Sequence, residues 1–247
     1  TVVTAYWPGG DRANDAAALA DADVVVVTGG DAALAALRPL VRGRFVAHGP
    51  RASVAAVGPG AADDAAGDAL ARDVALYDQR GCLSPHAVYV AAADARGFAE
   101  RLAGALARVA DRLPPGPGGV EERAAQRVVR ERAAWEPGVT VLAVAGGTVL
   151  YDEGTALGPP CGGRTVRVHP LAELAALPAL LPGGGIECVG VGGDALPLGP
   201  ALRARGVARV CPLGRMQRPP LTWPRGQLAP LGVLLGRAEP PHLLVES

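Results

Sequence analysis

Short apolar runs alternate with longer runs rich in alanine, leucine and arginine along most of this 247-residue chain. The short runs suit buried strands, and the longer runs place apolar residues at helical spacing. Such alternation is typical of an α/β fold, in which helices connect and cover the strands of a parallel sheet. Val24 to Val27, four valines in a row, predict a buried central strand. Further strands are expected at 45–47, 87–91, 139–145, 148–151, 165–169, 187–191 and 207–211, and helices at 11–22, 32–38, 61–76, 95–113, 120–134, 171–177 and 198–205.

The composition supports a folded chain and excludes several kinds of chemistry. Hydrophobic residues make up 49% of the chain and charged residues 19%, the reverse of the balance that keeps a chain unfolded. Every basic residue is arginine, so a Schiff-base lysine and a phosphate loop ending in Gly-Lys-Ser/Thr are both excluded. The 24 basic and 24 acidic residues balance, and the arginines are scattered, so no nucleic-acid partner is expected.

Membrane, disulfide and metal sites are not expected either. The longest apolar runs are far short of the ~18 residues of a membrane helix, so no membrane span is predicted. The four cysteines form no CxxC pair, which favours reduced thiols in a cytoplasmic protein over a disulfide scaffold or a zinc site. The chain begins at Thr1 with residues typical of a domain interior, and we expect it to be a fragment.

The first candidate site is the turn Thr28-Gly29-Gly30, between a predicted strand and a predicted helix. Glycines there allow a ligand to approach the backbone, and free amides at a helix start favour phosphate. The alternative is an ordinary strand-to-helix turn, because glycine-rich turns are common in such folds.

The second candidate site surrounds Cys82, which follows Gly81 between a predicted helix and a predicted strand. Arg80 or nearby backbone amides are expected to lower the pKa of this thiol so that it attacks as a thiolate. The alternative is a buried structural cysteine. His48 and His86 could act as a base or orient the thiol, the alternative being a structural imidazole for each. The structural interpretation is preferred for Cys161, Cys188, Cys211, His169 and His242.

The third candidate is the segment 215–226, which carries Arg215, Arg218, Trp223 and Arg225. Arginines beside an aromatic ring suit a phosphate-bearing nucleotide or an interdomain clamp. The alternative is a rigid surface loop fixed by its prolines. From Pro219 onward the chain is rich in proline and glycine and is expected to be extended.

The order of these pieces resembles the aldehyde dehydrogenase superfamily: a Thr-Gly-Gly turn, a strand that ends in a glycine-containing break, a helix, and Gln-Arg-Gly-Cys before a strand. The sequences of residues 77–86 and 211–226 are similar to those of one branch of this superfamily, the acyl-CoA reductases of the luminescence-type, long-chain fatty-acyl kind. The likeness covers nearly all of this chain but only about the second half of a family member.

The resemblance implies an aldehyde dehydrogenase-like α/β fold. Residues 1–75 would be the end of a Rossmann-type nucleotide-binding domain, 76–225 the catalytic domain, and 226–247 an extended tail. It also implies that NADPH or NADH reduces a fatty acyl-CoA to an aldehyde through an acyl-cysteine on Cys82. Thr28, Gly29 and Gly30 would contact the cofactor, and His48 would carry protons beside the thiol. A homo-oligomer or acyl-transferring partner enzymes would accompany this activity.

The chain departs from the superfamily pattern at two places, and the first departure weakens the case for hydrolysis of an acyl-enzyme. The glutamate that activates water in hydrolytic members is replaced by Ala47 or His48, and no glutamate stands in 159–165, where one would grip the nicotinamide ribose. One alternative is a non-acylating aldehyde dehydrogenase or a glutamyl-phosphate-type reductase. The other is a non-catalytic binding or assembly subunit that keeps the fold.

Overall fold

A computed structural model describes residues 1–193, 198–237 and 240–246. The chain divides into two compact units, Thr1–Pro50 with Leu231–Ala238, and Arg51–Pro230 with Glu239–Ser247. This division falls 25 residues before the boundary at 75/76 that the resemblance implies. The assignment of 1–75 to cofactor binding and of 76–225 to catalysis concerns function and stays a prediction.

The first unit contains a two-stranded parallel sheet with short helices. The chain forms α1 (Arg12–Leu19), β1 (Val24–Thr28), α2 (Asp31–Leu37) and β2 (Arg44–His48). β1 and β2 run in register from the pair Val24 and Arg44 to the pair Thr28 and His48. Val26 is 45% exposed, so β1 is not buried on both faces as the valine run predicts. The reason is that, among the described residues, β1 has only β2 as a neighbour.

The second unit is built on an eight-stranded sheet. Its strands are β3 (Ala52–Val57), β4 (Pro85–Val90), β5 (Val139–Val144), β6 (Gly147–Asp152), β7 (Thr165–Pro170), β8 (Ile186–Gly192), β9 (Arg209–Pro212) and β10 (Leu244–Val245). The order across the sheet is β10-β9-β8-β3-β4-β7-β6-β5. All neighbours are parallel except the β5–β6 hairpin. The helices of this unit are α3 (Asp64–Ala75), α4 (Ala95–Arg112), α5 (Val120–Ala133), α6 (Leu177–Leu180) and α7 (Gly199–Ala204).

β3 is the main element that the sequence interpretation missed. It lies in the middle of the sheet between β8 and β4, and Val54 to Val57 are completely buried. Its sequence, ASVAAV, contains three alanines and a serine, which have little preference for strands. The tail from Pro219 is not simply extended either, because it forms the helix α8 (Pro230–Leu235) and β10. The helix expected at 171–177 is displaced to a 3-10 turn at Leu174–Ala176 followed by α6.

Helices cover both faces of this sheet, which fixes where chemistry can occur. Alternate residues of β3 point to opposite faces: Ala55 and Val57 pack with α3 and α4, and Val54 and Ala56 pack with the leucines of α6 and α7. Asp63 and Asp94 accept hydrogen bonds from the first turns of α3 and α4 and cap these helices. Since both faces are covered, polar groups can gather only at the strand ends. No helix in the described ranges is long and apolar enough to cross a membrane.

Candidate active site

The loop before Cys82 has an unusual backbone. Tyr77, Asp78 and Gln79 all adopt the left-handed conformation, with φ of 58°, 50° and 61°. Non-glycine residues avoid this region, and several in succession persist only where the surrounding structure holds them. Such residues cluster at functional sites. The strain therefore marks the segment that leads to Cys82 as a candidate site.

Two side chains hold this strained segment. The buried Gln79 amide nitrogen donates to the carbonyls of Pro85 (2.8 Å) and Thr165 (2.9 Å), and its oxygen accepts from the Thr165 amide (2.7 Å). The Asp78 carboxylate accepts from Arg164 Nε at 2.7 Å. Arg164 is only 2% exposed and also donates to the Leu113 carbonyl at 2.8 Å. These contacts tie the loop to the start of β7.

Cys82 is a free, partly exposed thiol in a tight turn just before β4. The Ser53 hydroxyl donates to the Cys82 carbonyl at 2.7 Å, and the Ser84 amide closes the turn on the Gly81 carbonyl. The side chain of Cys82 packs, with Trp223, against a small buried cluster of Leu83, Cys188, Cys211 and Met216. Cys82 is therefore positioned by its main chain and half-buried at its side chain.

The charges around Cys82 differ from those expected. Burial raises the pKa of the Cys82 thiol, and Glu187 raises it further, whereas Arg225 and Arg51 lower it. Arg80, which the sequence interpretation expects to lower this pKa, forms an ion pair with Glu122 at the surface instead. Arg80 is not among the groups that shift this pKa, so that part of the expectation is wrong, whereas the Cys82 backbone amide does lower the pKa as expected. The net result is a thiol that is harder to ionise than a free cysteine.

Glu187 is the residue nearest this chemistry that the sequence interpretation missed. Its side chain is completely buried, forms an ion pair with Arg51, and accepts a hydrogen bond from the Gly226 amide at 3.0 Å. Arg51 also donates to the carbonyls of Ile186 and Gly206. Arg225 lies over the ring of Trp223, with 6.0 Å between guanidinium carbon and ring centre. In the sequence, Glu187 could have been identified as a single carboxylate at the start of an otherwise apolar predicted strand.

The loop after β9 is attached to the same region. The completely buried Asp73 of α3 accepts from the Gly214 amide at 2.6 Å, and Gln217 donates to the Ser84 hydroxyl at 2.9 Å. Burial raises the pKa of Asp73 to about 6, against the lowering effect of backbone amides and Arg209. Arg209, also fully buried, donates to the carbonyls of Met216 and Arg215. The segment 213–218 is thus held between α3 and the start of β9.

These groups share one edge of the sheet. Ser53, Glu187 and Arg209 lie at or next to the first residues of β3, β8 and β9, and Cys82 precedes β4. Because these strands are parallel, their amino ends meet at the same edge. Ligands of open α/β sheets usually bind at the opposite, carboxyl edge. The candidate nucleophile therefore lies at the amino ends of the strands, where ligands bind less often.

The predicted cofactor residues and His48 lie in the first unit. Thr28, Gly29 and Gly30 follow one another at the carboxyl end of β1, and the Gly29 amide donates to the His48 carbonyl at 3.2 Å. A side chain at Gly30 would meet no atom within 4 Å, so the turn is open on that side. Cys82 lies in the second unit. The cofactor role of the turn and the proton-carrying role of His48 stay predictions.

The remaining candidates fit structural roles. Cys188 and Cys211 are buried in β8 and β9 with their sulfurs 3.6 Å apart. His169 is completely buried, and its Nδ1 lies 2.6 Å from the Gly154 carbonyl oxygen. Burial lowers the pKa of His86 to about 4, so this imidazole is neutral at physiological pH. In the part of the chain that the structure describes, no three His, Cys, Asp or Glu side chains are placed to hold a metal ion.

The sequence of residues 1–231 matches the family described as Acyl-CoA reductase (LuxC). None of the curated protein sequences matches this chain.

Several solved structures are similar to this chain. Methylmalonate-semialdehyde dehydrogenase from Oceanimonas doudoroffii superposes with a TM-score of 0.66 at 16% identity, over 87% of this chain and 50% of that one. Aldehyde dehydrogenase 21 from Physcomitrella patens superposes with a TM-score of 0.63 at 14% identity, over 84% of this chain and 47% of that one. Delta-pyrroline-5-carboxylate dehydrogenase from Mycobacterium tuberculosis superposes with a TM-score of 0.62 at 15% identity, over 83% of this chain and 44% of that one. The chain thus spans about half the length of these proteins, and the predicted aldehyde dehydrogenase-like α/β fold is confirmed.

Proposed function

Because the chain belongs to the acyl-CoA reductase (LuxC) family, we propose that it carries the catalytic cysteine of an enzyme that reduces a fatty acyl-CoA to an aldehyde with NADPH or NADH. The observation that carries the proposal is the setting of Cys82. This partly exposed thiol follows a strained turn and is flanked by Arg51 and Arg225. A free, partly exposed thiol on a loop held in a strained conformation fits the position of a nucleophile.

The first step is acyl transfer to the protein. The Cys82 thiolate attacks the thioester carbonyl, a carbon–sulfur bond forms, and the bond to coenzyme A breaks, so that its thiolate leaves. The Cys82 backbone amide would donate to the developing oxyanion, and one such donor is typically worth ~3 kcal/mol. Arg225 and Arg51 favour the thiolate against burial and the charge of Glu187.

The second step converts the acyl-cysteine into product. A bound nicotinamide cofactor would supply a hydride to the acyl carbon. Cys82 would hold the resulting thiohemiacetal and would be released as the free thiol when the aldehyde leaves. The open side at Gly30 fits close approach of a cofactor diphosphate to the turn Thr28-Gly29-Gly30. His48 would carry the proton that this step consumes. A cytoplasmic location belongs to the same proposal, and so does either a homo-oligomeric state or an association with acyl-transferring partner enzymes.

The carboxylates favour reduction over hydrolysis of the acyl-enzyme. By the resemblance to the superfamily, Ala47 or His48 stands where hydrolytic members carry the water-activating glutamate. Glu187, the carboxylate beside Cys82, is completely buried, and its two oxygens face Gly226 and Arg51. A carboxylate occupied in this way is a poor base for water, which supports transfer between thiols rather than hydrolysis.

The test is acyl transfer from a long-chain acyl-CoA, followed by mass mapping of the labelled cysteine and by aldehyde detection with NADPH and NADH. We expect acylation at Cys82 and its complete loss in Cys82→Ser. Cys161→Ser is the matched control, because Cys161 is also a free, partly exposed thiol. A free acid formed from aldehyde and NAD(P) would instead indicate a non-acylating dehydrogenase, and absence of acylation would favour a binding or assembly subunit.

A further inference from the structure

Ser53 occupies an irregular position in the centre of the sheet. The pairing of β3 shifts by one residue on both sides of it. On one side Ser53 pairs with Pro85 and Val54 with Ala87, so His86 is passed over. On the other side Ala52 pairs with Ile186 and Ser53 with Cys188, so Glu187 is passed over. Such irregularities are rare in parallel sheets and are found next to active sites, where they redirect side chains.

The hydroxyl of Ser53 compensates for this irregularity with two hydrogen bonds. It donates to the Cys82 carbonyl at 2.7 Å and accepts from the Cys188 amide at 3.1 Å. Ser53 is completely buried, so water cannot replace either bond. Pro85, the β4 residue opposite Ser53, has no amide hydrogen to offer the sheet. A side chain therefore makes the link between the cysteine turn and β8.

This link acts on the nucleophile through the main chain. A hydrogen bond to the Cys82 carbonyl restrains the peptide group after Cys82, and with it the direction in which the thiol projects. The strained turn at Tyr77–Gln79 holds the chain before Cys82, and Ser53 holds the chain after it. A small displacement of a reacting group lowers rates strongly, because the attack needs a defined distance and angle.

We propose that Ser53 is a positioning residue that sets the orientation of Cys82 for attack on the acyl carbonyl. This inference rests on the proposed function only in taking Cys82 as the nucleophile. It requires a hydroxyl at position 53, since an apolar side chain would leave a buried carbonyl and a buried amide without partners.

The experiment compares Ser53→Ala, Ser53→Thr and Thr148→Val with the wild type. Thr148→Val is the matched control, because Thr148 is another buried hydroxyl residue of the same sheet, on β6. Single-turnover acylation of Cys82 by acyl-CoA is followed by mass spectrometry, together with the half-saturating acyl-CoA concentration and the thermal midpoint. We expect Ser53→Ala to lower the acylation rate by about 10- to 100-fold without changing half-saturation more than about twofold.

Ser53→Thr retains the hydroxyl and should stay within about threefold of the wild type, and Thr148→Val should lose thermal stability without losing acylation rate. Equal acylation rates in Ser53→Ala and the wild type, or an equal loss in Thr148→Val, would overturn the proposal. If Ser53→Ala does not fold, Ser53→Cys is measured with the same expectation, because a thiol is a weak donor of similar shape.

Failure of the proposed function gives a different result. In that case the wild type takes no acyl group from acyl-CoA, although iodoacetamide still labels Cys82. The rate at which iodoacetamide labels Cys82 then tests the positioning role of Ser53. A change in this rate of about threefold or more in Ser53→Ala supports the role, provided that Ser53→Thr restores the wild-type rate. Unchanged labelling overturns it.

Discussion

Glu187 forms an ion pair with Arg51 in which the carboxylate is completely buried and the guanidinium is 20% exposed. The two residues lie at the starts of neighbouring strands, β8 and β3, beside the turn that carries Cys82. Removing one member of a buried pair leaves the other charge without compensation, whereas apolar residues at both positions are often tolerated. This pair connects the stability of this end of the sheet with the ionisation of the Cys82 thiol.

Glu187→Gln should lower the pKa of Cys82, because it removes the negative charge while keeping an oxygen that can accept from Gly226. Arg225 and Arg51, the other charges that act on this thiol, then favour the thiolate against burial alone. The pH dependence of iodoacetamide labelling at Cys82 measures the effect as a midpoint at lower pH. Glu131→Gln, which removes an exposed carboxylate paired with Arg127, is the control and should leave the midpoint unchanged. A rise of the midpoint in Glu187→Gln would contradict the electrostatic account.

Arg51→Met should destabilise the second unit by about 3 kcal/mol, since it leaves a buried carboxylate unpaired. The double variant Arg51→Met with Glu187→Leu should be more stable than Arg51→Met alone, because no buried charge remains. Urea unfolding at neutral pH provides the free energies. A double variant less stable than the single one would show that the pair contributes net stability.

Asp73 should make the fold less stable as pH rises from 3.8 through 6. Its pKa is about 6 in the native state and 3.8 ordinarily, so the native state binds the proton more tightly than the unfolded state. The proton on Asp73 contributes its full stabilisation to the free energy of unfolding below pH 3.8. This contribution is lost as the pH passes 6, and it amounts to about 3 kcal/mol for roughly two pKa units.

The measurement for Asp73 is the free energy of unfolding of the wild type and of Asp73→Asn between pH 4 and 7. His86, whose pKa is lowered to about 4, acts in the opposite direction but is common to both proteins. We expect the wild type to lose stability relative to Asp73→Asn as pH rises. A gain over the same interval would mean that Asp73 is stabilised as a carboxylate.

Native labelling should separate the four thiols into two classes. Cys188 and Cys211 are buried, and burial followed by the neighbouring Cys211 raises the pKa of Cys188 well above its ordinary value, so both should react only on unfolding. Cys82 and Cys161 are both partly exposed, so both should react in the folded protein, and the proposed role of Cys82 as nucleophile predicts that it reacts first. Timed alkylation at neutral pH with mass mapping gives the order. Faster labelling of Cys188 than of Cys82 would contradict the burial shown here.

The amino-acid sequence by itself determined the α/β class, most of the helices and strands, and the turn that carries Cys82. These features are local: apolar periodicity defines each element, and Gly81-Cys82 between helix and strand identifies the candidate nucleophile without any knowledge of distant residues. The alternation also indicated correctly that Cys188 and Cys211 lie in strands.

Only the tertiary structure decided which residues surround that turn. β3 has a weak strand sequence and is a strand because it lies between β8 and β4, which cover both of its edges. Ser53 bonds to the amide of Cys188, 135 residues away, and Arg51 pairs with Glu187 across a similar separation. Contacts of this kind depend on the order of strands in the sheet, and no local pattern encodes that order. The charge environment of Cys82 therefore follows from the packing of parallel strands, whereas the choice of Cys82 as the candidate nucleophile rests on its own short segment.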